Sequence, residues 1–276
     1  MNYEDVQKVS NAAKNKIGLL NGNFLKYFLR AVMAGFFIDV AVIYSNVVGN
    51  VFSGSDPAWG KFLGALVFSI AVLLISLVGG ELFTGNNLII ISLLEKKIKL
   101  TEMLKNWFFV FAGNFIGASF VAVMVVYAGI PGLYDGRLAE KMVAAALTRV
   151  NQTFPEAFAR GVLCNILVCV AVWGAFAAKK VSGKLLMSFW PVMLFVLCGF
   201  EHSIADIYFG VSGLLTMPKY GVSGDALTLA SFLLKNLLPV TLGNIAGGAG
   251  IVGCGYWAMY LRHTPGYVQP IEQEQE

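Results

Sequence analysis

Apolar residues fill six long segments of the chain, at about 25–48, 62–94, 107–129, 156–178, 185–217 and 236–261, with short polar stretches between them. At about 1.5 Å per residue, some twenty residues cross the roughly 30 Å hydrocarbon core of a bilayer. Four segments suit a single crossing, but the second and fifth are too long. Each of those two is interrupted midway by polar residues, Gly79-Gly80-Glu81-Leu82-Phe83-Thr84-Gly85-Asn86 in one and Gly199-Phe200-Glu201-His202-Ser203-Ile204-Ala205-Asp206 in the other. Gly79, Glu81 and Asn86 stand 120 positions before Gly199, Glu201 and Asp206. The pattern predicts two broken helices, each a pair of half-helices joined by irregular backbone. Such backbone is tolerated at membrane depth only where protein or a cavity surrounds it. Paired interruptions in corresponding halves are a sequence pointer to a transport site.

The halves repeat beyond the interruptions. Phe28-Leu29-Arg30-Ala31-Val32 matches Phe158-Ala159-Arg160-Gly161-Val162, and Gly113-Asn114-Phe115-Ile116-Gly117 matches Gly243-Asn244-Ile245-Ala246-Gly247, both at an offset of 130. Three crossings leave the chain on the opposite side of the membrane, so a three-span unit repeated once comes out inverted. The predicted fold is an all-α membrane protein of six transmembrane helices in two inverted repeats, about 24–130 and 154–262. Residues 1–23 carry Val6, Val9, Ala13, Ile17 and Leu20 at helical spacing among Lys and Asn. They predict an amphipathic helix that packs on the bundle or membrane surface, or lids a pore mouth. Residues 263–276 form a predicted tail, acidic and disordered from Pro270 onward.

Charge fixes the expected direction. Lys8, Lys14, Lys16, Lys26, Lys96, Lys97, Lys99, Lys105, Lys179, Lys180, Lys184 and Arg262 gather on one side. Lys61, Arg137, Lys141, Arg149, Lys219 and Lys235 lie on the other. Basic residues favour the cytoplasmic face, which predicts that both termini are cytoplasmic. Only 13% of the 276 residues are charged while 57% are hydrophobic, and mean hydropathy is +0.71. This is a chain for lipid, and its net charge of +4 is spread over membrane flanks, which argues against a nucleic-acid partner. Cys164, Cys169, Cys198 and Cys254 all fall in apolar runs without a CxxC pair, so neither zinc nor a disulfide framework is indicated. Residues 1–23 are too polar and mixed in charge for a cleavable signal peptide.

His202 is the single histidine inside a span, and an ionisable group there is a functional candidate by default. Glu81 and Glu201 are the related carboxylates of the two breaks. Their expected role is to accept hydrogen bonds from N–H groups freed where the helices break, with Asn165 and Asp206 completing a polar network. Thr84 offers a hydroxyl to a small anion or its conjugate acid. Leu82, Phe83, Phe68, Val72 and Phe195 stand near the breaks as packing residues or as hydrophobic constrictions. Asp39 and Arg30 are expected to be a buried polar contact and an interface-snorkelling side chain. Gly248-Ala249-Gly250-Ile251-Val252-Gly253 fits GxGxxG, but it lies in an apolar span after no strand, so close helix packing explains it. No HExxH, GxSxG or P-loop occurs, and no enzyme, metal or cofactor is expected.

Leu77-Val78-Gly79-Gly80-Glu81-Leu82-Phe83-Thr84-Gly85-Asn86 resembles the first signature of the formate/nitrite transporter family. Gly161 to Ala171, with Asn165 at its centre, resembles the second, and Gly199-Phe200-Glu201-His202-Ser203-Ile204-Ala205 resembles the central-histidine motif. The resemblance implies an aquaporin-like protomer in a homopentamer, each protomer with its own pore, in a prokaryotic cytoplasmic membrane. It implies that Leu82 and Thr84 belong to the loop of the first break, that Phe68, Val72 and Phe195 form constrictions, and that His202 sits at the centre of the pore. Two departures stand out: Asp206 occupies a position that is often Asn, and Arg149 is the nearest basic residue to a lysine common in the family. By whole-sequence resemblance the hydrosulfide-channel branch is the nearest.

The expected function is passage of small monovalent anions, hydrosulfide foremost, with formate and nitrite as further permeants. The competing readings are a proton-coupled formate or nitrite transporter, a neutral-solute pore on the same fold, and a membrane-bound redox subunit built on His202 and Glu201.

Overall fold

The computed structural model describes residues 3–53 and 56–262, and the predicted tail over 263–276 lies outside them. The described helices are α1 Tyr3–Gly22, α2 Phe24–Phe52, α3 Pro57–Gly79, α4 Phe83–Leu94 and α5 Leu100–Tyr127. They continue as α6 Arg137–Val150, α7 Phe154–Ala177, α8 Val181–Cys198, α9 Ser203–Tyr220 and α10 Leu229–Tyr260. Six of these (α2, α3, α5, α7, α8 and α10) are long and apolar enough to cross a membrane. The second predicted segment is α3 plus α4 and the fifth is α8 plus α9, so both are broken where the polar interruptions fall.

The breaks begin at glycines because the chain turns there through left-handed backbone. Gly79 has φ +101° and Gly199 φ +72°, conformations that side chains with a Cβ rarely adopt. At Gly199 the helix closes with the amide of Phe200 donating to the carbonyl of Phe195 at 3.0 Å, satisfying an end carbonyl.

Two close helix pairs frame the breaks. In the first, α2 against α5, a Cβ added at Gly117 would overlap the carbonyl oxygen of Val32, and one at Gly35 the carbonyl oxygen of Asn114. In the second, α7 against α10, Gly247 meets the carbonyl of Val162 and Gly243 that of Phe158 in the same way. Without a hydrophobic drive between helices in lipid, small residues secure contact by letting backbones approach. Gly248 and Gly253 of the GxGxxG run make room for side chains, lying against the Asn165 amide and Ile90.

Two helices, α1 and α6, belong to none of the six apolar segments. On α1, Val9, Ala13, Ile17 and Leu20 are buried, as their spacing predicts. The other, α6, falls where the apolar pattern shows only a polar connection between spans. Yet Leu138, Met142, Val143, Ala146 and Val150 are buried along one face, and their spacing of three to four is a helical signal within a stretch otherwise dominated by charge.

The α2–α5 contact predicts a paired result. Gly117→Ala lowers the thermal midpoint of the detergent-solubilised protein, by the equivalent of about 1–3 kcal/mol of overpacking. Gly18→Ala on α1, with open space around it, leaves the midpoint unchanged or raises it slightly.

Candidate functional site: two facing helix breaks

A helix break at membrane depth frees backbone groups that only protein can satisfy. At the first break, the Glu81 amide donates to the carbonyl of Arg30 (3.0 Å) and the Phe83 amide to Asn114 Oδ1 (2.8 Å). Asn114 Nδ2 in turn donates to the carbonyls of Ala31 (2.7 Å) and Glu81 (2.9 Å). At the second break, the Glu201 amide donates to the carbonyl of Arg160 (3.4 Å) and the Ser203 amide to Asn244 Oδ1 (3.0 Å). Asn244 Nδ2 donates to the carbonyls of Gly161 (2.9 Å) and Glu201 (3.1 Å). One fully buried asparagine from the neighbouring helix pair therefore holds each break. This corrects the expectation for Glu81 and Glu201, whose carboxylates bind side chains and not the freed amides. Asn114 and Asn244 stand out in the sequence only as part of the repeat.

The breaks meet at two side chains. Thr84, in the first turn of α4, has its Oγ1 2.9 Å from His202 Nε2, and His202 caps α9 by accepting the Ala205 amide at Nδ1 (3.2 Å). With Nδ1 accepting, a neutral ring carries its proton on Nε2 and donates it to Thr84, leaving the threonine hydroxyl hydrogen for another acceptor. The Thr84 carbonyl is held by Asn165 Nδ2 (3.3 Å) and Cys169 Sγ (3.5 Å), and Asn165 also donates to the Asn244 carbonyl (2.6 Å). Asn165 thus ties the first break to the support of the second. Both α4 and α9 begin at the breaks, so two helix N-termini point their partial positive charge at this centre, an arrangement that favours anions.

Aromatic and aliphatic side chains flank the pair. Phe195 stacks on the His202 ring (centroids 5.9 Å apart) and meets Phe68 edge-on at 5.8 Å. On the α1 side, Val72 and Leu82 border a cavity of about 770 Å³ that Lys16, Arg30, Asn86 and Ser188 also line. Phe83 turns the other way, its ring against Phe111 (5.1 Å) and Trp107 (6.4 Å) of α5.

Each break carries a charged bracket beside it. On the α1 side Lys16 pairs with Glu81 (2.8 Å) and donates to Asn86 Oδ1 (2.5 Å), while Asn86 Nδ2 contacts Glu81, Tyr27 and Asn106 at 3.1–3.2 Å. On the α6 side Arg149 pairs with Asp206 (2.9 Å) and Glu201 (3.2 Å) and lies over the Phe209 ring at 3.5 Å. Gln152 donates to Glu201 (2.7 Å), and Asn236 approaches Asp206 at 3.5 Å. Lys16 and Arg149 come from α1 and α6, the two helices outside the six apolar segments. Asp39 departs from expectation. It is fully buried, yet among the described residues neither of its carboxylate oxygens has a hydrogen-bond partner.

The chain is similar to known proteins over most of its length. The sequence model of the formate/nitrite transporter family matches residues 3–258. The formate channel FocA of Haemophilus influenzae is 35% identical over 248 residues, covering 86% of this chain and 87% of its own length. The formate channel BtFdhC of Bacillus thuringiensis is 34% identical over 263 residues, covering 93% of this chain and 91% of its own. Among solved structures, an FNT family ion channel superposes with TM-score 0.83 at 29% identity, covering 93% of this chain and 98% of its own. A pentameric formate channel with formate bound superposes with TM-score 0.76 at 34% identity, covering 86% of this chain and 98% of its own. The molecule is a multi-pass membrane transport protein and not an enzyme. It belongs to the formate/nitrite transporter family.

Proposed function

We propose that this protein is a channel for small monovalent anions, formate foremost, with hydrosulfide and nitrite as further permeants. The observation that carries the reading is the 2.9 Å contact between Thr84 Oγ1 and His202 Nε2, which joins the two breaks where two helix N-termini converge. Similarity to two formate channels, FocA and BtFdhC, supports formate, and the whole-sequence resemblance supports hydrosulfide.

A bare anion in an apolar constriction would pay a cost on the order of tens of kcal/mol. In the proposed route the anion enters through the cavity on the α1 side, where Lys16 and Arg30 lower that cost. It passes Leu82 and Val72 and accepts the threonine hydroxyl hydrogen, while His202 Nε2–H polarises that hydroxyl. It then leaves past Phe68 and Phe195 toward the α6 side. A second proton on the ring must displace the Ala205 amide from Nδ1, so transient proton sharing with the anion is coupled to the capping of α9. Glu81, Glu201, Asn165 and Asp206 act as positioning residues. Phe83 fixes the backbone of the first break through its amide and its ring packing.

In this reading the two halves are inverted repeats, α1 and both chain ends lie in the cytoplasm, and the protein sits in a prokaryotic cytoplasmic membrane as a homopentamer with a pore in each protomer. Twelve basic residues on the α1 side against six on the other support the orientation. The superposed formate channel is itself pentameric, which supports the same assembly here. A second reading, proton-coupled uptake, is favoured by an imidazole bonded to Thr84 where the two breaks meet.

Flux into proteoliposomes separates these. Conductance of formate, hydrosulfide or nitrite above that of chloride, without saturable dependence on a proton gradient, supports the channel. Saturable uptake driven by that gradient supports the coupled transporter. Glycerol or water flux without anion flux would leave only the neutral-solute pore. Replacing His202 by leucine is expected to cut formate flux about 5- to 100-fold, the worth of one buried polar partner, and to alter its pH dependence. Unchanged flux and selectivity at every pH would remove His202 from the route. Arg149→Gln leaves Glu201 and Asp206 buried without their cation. It should destabilise the protein by about 3–5 kcal/mol in thermal or denaturant unfolding, and Arg149→Lys should do less damage.

A further inference from the structure

The polar cluster on the α6 side does not balance its charge. Arg149 is one guanidinium bonded to two carboxylates, Glu201 and Asp206. Asp39, on α2, lies within electrostatic reach of Asp206 from the other direction. With all three carboxylates ionised, one cation faces three anions and the cluster carries a formal charge of −2. Asp39 and Asp206 are both fully buried, and among the described residues no cationic side chain bonds either Asp39 oxygen.

The surroundings of Asp39 hold further buried polar groups. The Tyr208 hydroxyl, fully buried on α9, interacts electrostatically with Asp39 and sits beside Asn46 and Ser212. Among the described residues, neither Asp39 oxygen has a hydrogen-bond partner, whereas the Tyr208 hydroxyl interacts with the Asn46 and Ser212 side chains. A fully buried carboxylate with neither oxygen partnered points to a bound proton, since buried polar groups are otherwise paired and a bare buried charge is costly. Among the described residues, further cations on the packed helices are engaged elsewhere, Lys16 of α1 with Glu81, Lys141 of α6 with Ser53 and Lys219 of α9 with the Val126 carbonyl. Between Lys105 and Tyr127 α5 has no ionisable residue, the one on α3 is Lys61 near the level of Gly49, and Cys164 of α7 lies within electrostatic reach of Asp206 and Glu201.

We propose that Asp39 is a proton-binding site, and that its proton, exchanged with the Asp206–Arg149–Glu201 cluster, sets the electrostatic barrier that a permeating anion meets. Two uncompensated negative charges next to His202 would repel the anion that the helix N-termini attract. A proton on Asp39 halves that burden and gives the carboxyl a donor for Tyr208 or Ser212. Access is from the α6 side, where the Arg149 side chain is 20% exposed while that of Asp206 is 1% exposed. The expected device is a pH response belonging to this cluster, separate from any titration of His202 or of the permeant itself.

The binding claim stands apart from the anion route, whereas its effect on flux rests on the route proposed above. Infrared difference spectra of the wild-type protein in liposomes, between acid and alkaline pH and without permeant, test the first. The expected result is a C=O band of a protonated, buried carboxyl that Asp39→Asn removes and Asp39→Glu shifts. A spectrum that Asp39→Asn and Asp39→Glu both leave unchanged overturns the proposal, as does a carboxylate kept ionised by sodium or potassium. If Asp39→Asn does not assemble, Asp39→Glu alone decides, through a shifted or an unmoved band. Flux tests the second. Above its transition, wild-type chloride or formate flux should fall by roughly tenfold per unit rise in pH on the α6 side, as loss of a single proton requires, and Asp39→Asn should lack that fall. The same fall in Asp39→Asn contradicts the electrostatic role, while an absence of anion flux in both proteins overturns the route and leaves the infrared result standing.

Discussion

Everything at the centre of this molecule depends on backbone that is not helical at a depth where no water can satisfy it. Two buried asparagines, Asn114 and Asn244, meet that need by the same device. Each accepts the first amide after a break and donates to a carbonyl within the break and to another on an adjacent helix. Without them, the freed groups would cost several kcal/mol each, and straight helices would be the more stable arrangement. With them, the half-helices α4 and α9 start at the middle of the fold and aim their N-terminal ends there.

The packing outside the breaks follows from that requirement. An asparagine can reach a neighbouring carbonyl only if the helices nearly touch, and the glycines of α2, α5, α7 and α10 permit that approach. The contacts are made twice with the same chemistry, Gly117 against Val32 and Gly247 against Val162. Charge is then kept off the centre itself. Glu81 and Glu201 are drawn sideways by Lys16 and Arg149, so Thr84 and His202 are the polar side chains that meet between the breaks. Beside them, Phe195 stacks on the His202 ring and meets Phe68, while Val72 and Leu82 border the cavity on the α1 side.

Much of this was legible in the chain. The breaks were, because a Gly-Glu step inside thirty apolar residues has no other simple reading, and Thr84 and His202 could be named from their places in those steps. The partners that hold the breaks were not. Asn114 and Asn244 sit in apolar helices whose local pattern says only that they are buried, and a hydrogen bond to a residue thirty or more positions away leaves no periodicity. Helix α6 was obscured by its charges, although Leu138, Met142, Ala146 and Val150 carried the spacing. The partnership of Arg149 with Glu201 and Asp206 depends on α6 folding back across α9, which no local signal announces. The carboxylates were expected to serve the backbone and instead bind neighbouring side chains, because the asparagines had already taken the freed amides.

The measurement that bears most directly on the central claim is a double-mutant cycle in formate flux, using Thr84→Val, His202→Leu and the pair together. If the two breaks act on the anion through one joined group, either single change breaks that group, and the double variant should be no slower than the slower single one. Flux losses that multiply in the double variant would mean that Thr84 and His202 act independently, contradicting the account.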